Sequence, residues 1–329
     1  SDEGVPHSLQ PYPERTLLDV VRETAAQRPN HTAVIFKGTR LSYAELERLS
    51  DAFGNALVAQ GVKRGDRVAL LLPNSPQSII TQLGVWKAGG IATPINPLYT
   101  EHELERLLKV CGAETVVVLT LFYKKVKSLQ LSTSLCRVIA TNIKEYLPPS
   151  LRFLFTLFRE RKDGHRIKLP SNDLWLGALL RQHAGKPRPG VGVSPEDPAL
   201  LLFSGGTTGE PKGAVGTHRA LLMSGMQLRA WFSTLAVEWD DVVMLTIPLF
   251  HVYGNVGALT VGLLGHESMV PIPNPRDIDD LVATIRKVRP AFFPGVPTLF
   301  IALLNHPDVQ TGKVDFKSMK LCVSGASSL

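Results

Sequence analysis

The sequence predicts an α/β protein with mainly parallel sheets, organised as two packed α/β subdomains over residues 1–195 and 196–329. Three observations predict it. Short apolar runs, among them residues 67–72, 115–119 and 199–203, have the length of buried strands. Capped helical segments stand between many of these runs, which is the alternation that parallel strands with helical crossovers require. A proline- and glycine-rich connector, Lys186-Pro187-Arg188-Pro189-Gly190 through Ser194-Pro195, precedes the run that carries the most distinctive loop of the chain.

Taken in order, Ser42 and Glu45 stand at capping-box spacing for a helix running toward Gln60, and Gly61 is placed to close it. Residues 67–72 follow as a buried strand. Ser75-Pro76 opens a second helix with proline in its first turn, Gly89 ends it, and residues 91–94 form the next strand. Thr100 and Glu103 repeat the box before the strand at 115–119. From Leu121 to His183 the pattern loosens. Within that stretch, residues 151–162 join an apolar helical body to a basic end, which suits either a membrane surface or a helix packed on the sheet. Beyond the connector, residues 242–247, 291–293 and 319–323 read as strands, and Ile278, Leu281, Ile285 and Val288 stand at helical spacing.

The 329 residues are 44% hydrophobic and 20% charged, which describes a globular protein with a large core. A net charge of +7 favours acidic partners, but the lysines and arginines are scattered rather than interleaved with aromatics in one block. Nucleic acid is therefore excluded as the expected partner, and phosphate-bearing small molecules or anionic lipid are preferred. Cys111, Cys136 and Cys322 are odd in number and widely spaced, so neither a disulfide framework nor a zinc site is indicated and a cytoplasmic setting is expected. No apolar run reaches the roughly 18 residues that span a bilayer.

Chemistry concentrates in Ser204-Gly205-Gly206-Thr207-Thr208-Gly209-Glu210-Pro211-Lys212-Gly213, directly after the apolar run. Glycines let backbone N–H groups approach an anion, threonine hydroxyls add donors or a magnesium ligand, and lysine adds a compact positive charge. A nucleotide triphosphate is the expected guest. The loop is not the GxxxxGK[ST] phosphate loop, because Pro211 precedes Lys212 and Gly213 follows it. Further on, His251 follows a strand and a Pro248-Leu249-Phe250 turn, where open α/β sheets meet ligands. In residues 254–265 glycines recur every three to five positions in an apolar helix, leaving either an acyl groove or a close helix-packing face.

The ten-residue loop resembles the signature of the acyl-adenylate-forming enzymes, with Phe203 at its aromatic position. Its double glycine, Gly205-Gly206, is similar to that of bacterial long-chain fatty-acid–CoA ligases. Other segments resemble the family in the same order: Leu41-Ser42-Tyr43-Ala44-Glu45-Leu46, Trp86-Lys87-Ala88-Gly89-Gly90, Pro94-Ile95-Asn96-Pro97, Pro248-Leu249-Phe250-His251-Val252-Tyr253-Gly254, Gly295-Val296-Pro297-Thr298 and Ser324-Gly325-Ala326.

The resemblance implies the N-terminal domain of such an enzyme, the front portion of a larger ligase with its C-terminal lid domain absent. It implies ATP, Mg2+ and coenzyme A as cofactor and co-substrates, and a fatty acid activated through an acyl-adenylate. A fragment with half of that active site is expected to be inactive alone. On this reading Ser204, Gly205, Gly206, Thr207, Thr208, Gly209, Lys212 and Gly213 hold the phosphates, with Thr207 toward magnesium. Lys212 balances charge or anchors the loop through an ion pair. His251 orients the carboxylate, gates the acyl tunnel or serves as a core histidine. Gly254 and Gly257 line the acyl chain, and the resemblance alone adds Gly295, Val296, Gly325 and Ala326 near the carboxylate and adenine. An aryl or medium-chain ligase, and a non-catalytic nucleotide- or lipid-binding fragment, are the alternatives. Peripheral membrane contact through residues 151–162 and self-association as a homodimer are left open.

Overall fold

A computed structural model describes residues 4–204, 211–235 and 239–326. Its strands among those residues are β1 (Thr32–Phe36), β2 (Thr39–Ser42), β3 (Arg67–Leu71), β4 (Ile91–Pro94), β5 (Thr115–Leu119), β6 (Arg137–Thr141), β7 (Leu174–Trp175), β8 (Pro198–Ser204), β9 (Lys212–Thr217), β10 (Val242–Leu245), β11 (Ser268–Pro271), β12 (Phe292–Gly295) and β13 (Leu321–Ser324). They form two sheets, each belonging to one compact unit. The larger sheet runs β7-β6-β5-β3-β4-β8-β9 and is parallel except for the β8–β9 hairpin. The smaller runs β13-β12-β10-β11-β1-β2 and is parallel except for β1–β2.

The division of the chain differs from the expected boundary at 195/196. One unit is Ala44–Arg219 and the other joins Ser1–Tyr43 to Ala220–Leu329. Pairing explains it. Strand β8 follows the connector but lies parallel to β4, Ala92 opposite Leu200, so it extends the sheet already begun upstream. Near the other end, Val34 of β1 pairs with Met269 of β11, which draws the first residues into the later unit. Such pairings are set by distant partners and leave no trace in local periodicity.

The helix starts at Ser75-Pro76 and at Thr100 behave as the sequence predicts. Ser75 caps the helix Pro76–Lys87 in a capping box with Ser78, and proline fills the first helical position. Thr100 and Glu103 make the same box for Glu101–Cys111, and Gly112 closes that helix in the left-handed conformation at φ 58°. The helix Pro76–Lys87 is buried along its whole length, so it serves as a core element of its unit. Apolar side chains from β3, β5, β6 and the helix Glu101–Cys111 make one core, and Met244, Val270, Leu281, Ile285 and Phe293 belong to the core of the other unit.

Gly84 marks how tightly the helices Tyr43–Ala59 and Pro76–Lys87 pack in the same unit. A Cβ there would meet Phe53 Cδ1 at 2.6 Å and Phe53 Cβ at 2.9 Å, and Phe53 is fully buried. Gly84→Ala gains about 1 kcal/mol of helix propensity but overpacks a rigid neighbour at a cost of about 1–3 kcal/mol. The clash prevails. A net loss of about 1 kcal/mol is expected, read as a lower urea midpoint with an unchanged slope.

Candidate active site

In the smaller sheet, β10 has β11 on one side and β12 on the other. Chain order therefore reverses at β10, and at such a switch point the carboxyl ends of the strands open a crevice for ligands. Three neighbouring strands deliver sequence-predicted residues to that edge: β10 leads into Pro248–His251, β12 ends at Gly295 and Val296, and β13 leads into Gly325 and Ala326.

The turn that presents His251 is built from backbone contacts. The His251 amide donates to Pro248 O at 3.0 Å, and the Asn255 amide donates to His251 O at 2.9 Å. Asn255, fully buried, donates through Nδ2 to Leu249 O at 2.9 Å, which ties the turn from inside. Gly254 is required here: a Cβ would lie 2.3 Å from Pro248 O and 2.6 Å from Ile247 O, both fixed backbone atoms. The His251 side chain is exposed and tilts against Phe250 with ring centroids 4.7 Å apart. Local desolvation holds its imidazole below the ordinary histidine value, so the ring is neutral at pH 7.

Tyr253 joins the three strand ends. Its hydroxyl donates to Val323 O at 2.8 Å, and its ring lies 3.4 Å from where a Cβ on Gly325 would stand. The Gly325 amide donates to Gly295 O at 3.2 Å. Gly295 is itself covered by Phe300, whose ring atoms would come within 2.7 Å of an added Cβ. Val296 caps the helix Pro297–Leu304, and Ala326 is held at φ 65°, a strained conformation for a residue with a side chain. His251, Tyr253, Gly254, Gly295, Val296, Gly325 and Ala326 thus gather at one edge of one unit. Tyr253 and Asn255 were missed by sequence reasoning. Tyr253 lay inside the Pro248–Gly254 segment without an assigned role, and no periodicity marks Asn255 as the support of a turn.

Of the two readings of residues 254–265, the space around the glycines favours close packing. The room at Gly254 is taken by carbonyls, at Gly257 by Tyr253, at Gly262 by Met269 and at Gly265 by Arg229 and Glu267. The segment is also not one regular α-helix. It runs Val252–Gly254, then a wider π-type stretch Asn255–Thr260, then Val261–Leu264.

The other part of the predicted site belongs to the larger sheet. Gly205, Gly206, Thr207, Thr208 and Gly209 lie outside the described residues. Their flanks are defined: Ser204 ends β8 opposite Lys212, which begins β9, and Phe203 pairs with Gly213. Strands β8 and β9 therefore run antiparallel on either side of the loop, and the next helix starts at His218. Residues 212–217, Lys-Gly-Ala-Val-Gly-Thr, are mostly exposed and hold two glycines, so nothing in their composition announces a strand. Gly213 is required by its cross-strand neighbour, since a Cβ would meet Leu201 Cδ1 at 2.7 Å. Beneath β8, Trp86 Nε1 donates to Ala199 O at 2.7 Å, and the buried His218 packs edge-on against the Trp86 ring at 5.4 Å.

Lys87, beside Trp86, has a side chain with no solvent exposure. Its ammonium contacts Asp51 Oδ1 at 2.7 Å and Glu47 O at 3.0 Å. Glu47 Oε2 also lies 2.7 Å away, as an ion pair outside hydrogen-bond alignment. Burial pushes the Glu47 carboxyl above the usual carboxylate range, and Lys87 pulls it partly back. Among the described residues no three His, Cys, Asp or Glu side chains come together as a metal cage, and no helix is long and apolar enough to cross a membrane.

Two mainly parallel sheets, with a glycine-rich sequence after β8 and a histidine turn at a switch point, define an α/β protein of the kind that takes ligands at strand ends. A family model described as AMP-binding enzyme matches residues 21–329, and the chain belongs to that family. It is 35% identical over 329 residues to a long-chain-fatty-acid–CoA ligase of Bacillus subtilis (strain 168), covering 99% of this chain and 57% of that protein. A long-chain-fatty-acid–CoA ligase of Escherichia coli O157:H7 is 33% identical over 328 residues, again with 57% of its length covered. The chain thus spans little more than half the length of these curated relatives. Among solved structures, the anthranilate CoA ligase AuaEII in complex with anthranoyl-AMP aligns with a TM-score of 0.82 at 24% identity, over 97% of this chain and 56% of that one. The N-terminal domain of FACL13 from Mycobacterium tuberculosis aligns with a TM-score of 0.75 at 22% identity, over 95% of this chain and 70% of that one. These structures share the fold, the N-terminal domain of adenylate-forming enzymes.

Proposed function

We propose that this chain is the nucleotide- and acid-binding portion of an AMP-forming long-chain fatty-acid–CoA ligase, working in the cytoplasm. ATP and a fatty acid give an acyl-adenylate and pyrophosphate, and coenzyme A then displaces AMP. The observation that carries the reading is the convergence of His251, Gly295, Val296 and Gly325 on the carboxyl ends of three adjacent strands, in a chain whose 35% identical relative bears that name.

A carboxylic acid with a reference pKa near 4.3 is ionised at neutral pH, so its attack on the α-phosphate needs no base. It needs relief from charge repulsion instead. On this proposal the backbone amides of 204–209 and the hydroxyls of Thr207 and Thr208 take the β- and γ-phosphates, Lys212 offsets their charge, and Thr207 would hold magnesium, which would offset that charge further. The neutral imidazole of His251 donates a hydrogen bond that orients the attacking carboxylate. Gly295, Val296, Gly325 and Ala326 line the wall beside the carboxylate and adenine.

Palmitate-dependent exchange of pyrophosphate into ATP by the full-length protein tests the reading. Each buried methylene is worth about 0.8 kcal/mol, so exchange is expected to favour palmitate over acetate by orders of magnitude in kcat/KM. Exchange with benzoate or medium-chain acids alone would reassign the substrate. Absence of exchange with every acid would remove the ligase reading.

A further inference from the structure

We infer that the outward face of the helical segment spanning residues 149–159 is a docking surface for an anionic lipid bilayer. The segment runs as an α-helix over Pro149–Leu154 and a wider π-type turn over Phe155–Arg159. Its inward side is fixed by specific contacts. Phe155 packs edge-on against the buried His165 at 5.3 Å, and Glu160, one turn on, ion-pairs with Lys144 at 2.6 Å and accepts from Asn142 Nδ2 at 3.1 Å. Arg152 donates to the carbonyls of Lys144 and Glu145 at 3.1 and 2.6 Å.

The opposite side is apolar and uncovered. Leu151, Phe153, Leu154, Leu157 and Phe158 are exposed, from 43% for Leu151 to 66% for Phe158. At helical spacing these five fall in one arc, clear of Arg152, Phe155 and Arg159. Five large apolar side chains in eight residues, none of them buried, are more than a surface tolerates without an occupant.

Charge identifies that occupant. Residues 144–168 carry seven lysines and arginines against three acids. Two of those acids, Glu160 and Asp163, are already paired to Lys144 and Arg159. Arg161 and Lys162 are exposed at the end of the apolar arc and form no ion pair among the described residues. An apolar stripe with a basic rim suits insertion at the boundary between acyl chains and anionic headgroups. A second copy would meet the stripe with the same basic rim, and like charges would face each other across a two-fold axis. The surface stands independently of the reaction proposed above.

Co-sedimentation of the chain with vesicles of phosphatidylcholine alone, or of phosphatidylcholine and phosphatidylglycerol in equal parts, is the test. Binding is expected to the anionic vesicles, weakening as salt rises. Leu154→Ser with Phe158→Ser should lower partitioning about tenfold for each apolar chain withdrawn, and Arg161→Gln with Lys162→Gln about fivefold for each charge. All four side chains are exposed, so the thermal midpoints should match the parent, which separates lost binding from lost folding. Equal binding to both vesicle types, or binding indifferent to Leu154→Ser with Phe158→Ser, overturns the inference. Absence of vesicle binding, together with a dimer that the same pair of substitutions dissolves in sedimentation, also overturns it and makes the face a self-contact.

Discussion

Lys87→Met is expected to cost about 3–5 kcal/mol of folding free energy, the penalty for removing one partner from a buried ion pair. The magnitude follows from geometry. Lys87 is wholly buried, while the side chains of Glu47 and Asp51 retain only 14% and 15% exposure. Methionine fills the space of the lysine stem but leaves two carboxylates facing a site that water reaches poorly. An exposed pair would lose about 1 kcal/mol at most, so urea unfolding separates the cases clearly. A loss below that value would show the network to be solvated. Lys87→Met with Glu47→Gln and Asp51→Asn should recover much of the loss, because neutral amides carry a smaller desolvation cost.

The same substitution has a signed pH dependence. Burial already raises the Glu47 carboxyl in the folded protein, and removing Lys87 takes away the ammonium charge that most opposes that rise. A folded-state value above the unfolded one means the folded state binds the proton more tightly, so stability rises as pH falls toward the unfolded value. The deficit of Lys87→Met should therefore be smaller near about pH 5 than near about pH 8. A deficit that grew on acidification would show that Glu47 stays ionised in the variant. The Trp86–Gly90 segment, first singled out for its family resemblance, thus has a structural account in these residues. Trp86 supports β8 through Ala199 O, Lys87 ties the helix Pro76–Lys87 to Tyr43–Ala59, and Gly89 turns the chain at φ 74°.

What was legible in the sequence was local. The helix start at Ser75-Pro76, the capping box at Thr100, the closing glycine at 61 and the buried strands β3, β4 and β5 follow from residue type and spacing over a few positions. Strand β6, Arg-Val-Ile-Ala-Thr, was lost in a stretch that read as loosened, because one short apolar run cannot be told from a helix segment by period alone. Long-range pairings were not legible. Strand β9 exists because residues 212–217 pair antiparallel with β8, and the first residues join the later unit through pairings such as Val34 with Met269. The glycines of 254–265 show the same limit. Spacing announced small residues on one face, but only coordinates reveal that Tyr253, Met269 and Arg229 occupy the room they leave. The candidate site was legible where a motif combined with a strand end, as at His251, Gly295 and Gly325, and illegible where a residue works through a backbone carbonyl, as Asn255 does with Leu249.

His251→Ala is expected to lower kcat/KM for palmitate-dependent pyrophosphate exchange in the full-length enzyme about hundredfold, the usual effect of deleting one preorganised donor. Loss of a merely structural histidine would instead show as a lower melting temperature with exchange per folded molecule preserved. The pH profile separates the possible roles of the ring more sharply. Desolvation depresses the His251 value, so the neutral donor persists below the ordinary value near 6.5, and the acid limb of exchange should fall lower still and vanish in His251→Gln. The stability sign agrees: the unfolded chain binds that proton more tightly, so the contribution of the neutral ring is intact above the unfolded value and erodes as pH falls through it. A cationic clamp would behave in the opposite way, with exchange rising on acidification as imidazolium forms. Exchange that increases toward low pH in the parent and flattens in His251→Gln would therefore overturn the neutral-donor role while leaving His251 in the site. Asn255→Ala adds a further check, since it removes the Nδ2 bond to Leu249 O that supports the turn and leaves the imidazole itself in place. A loss of rate in Asn255→Ala with the acid limb retained is the result expected of a residue that positions the donor.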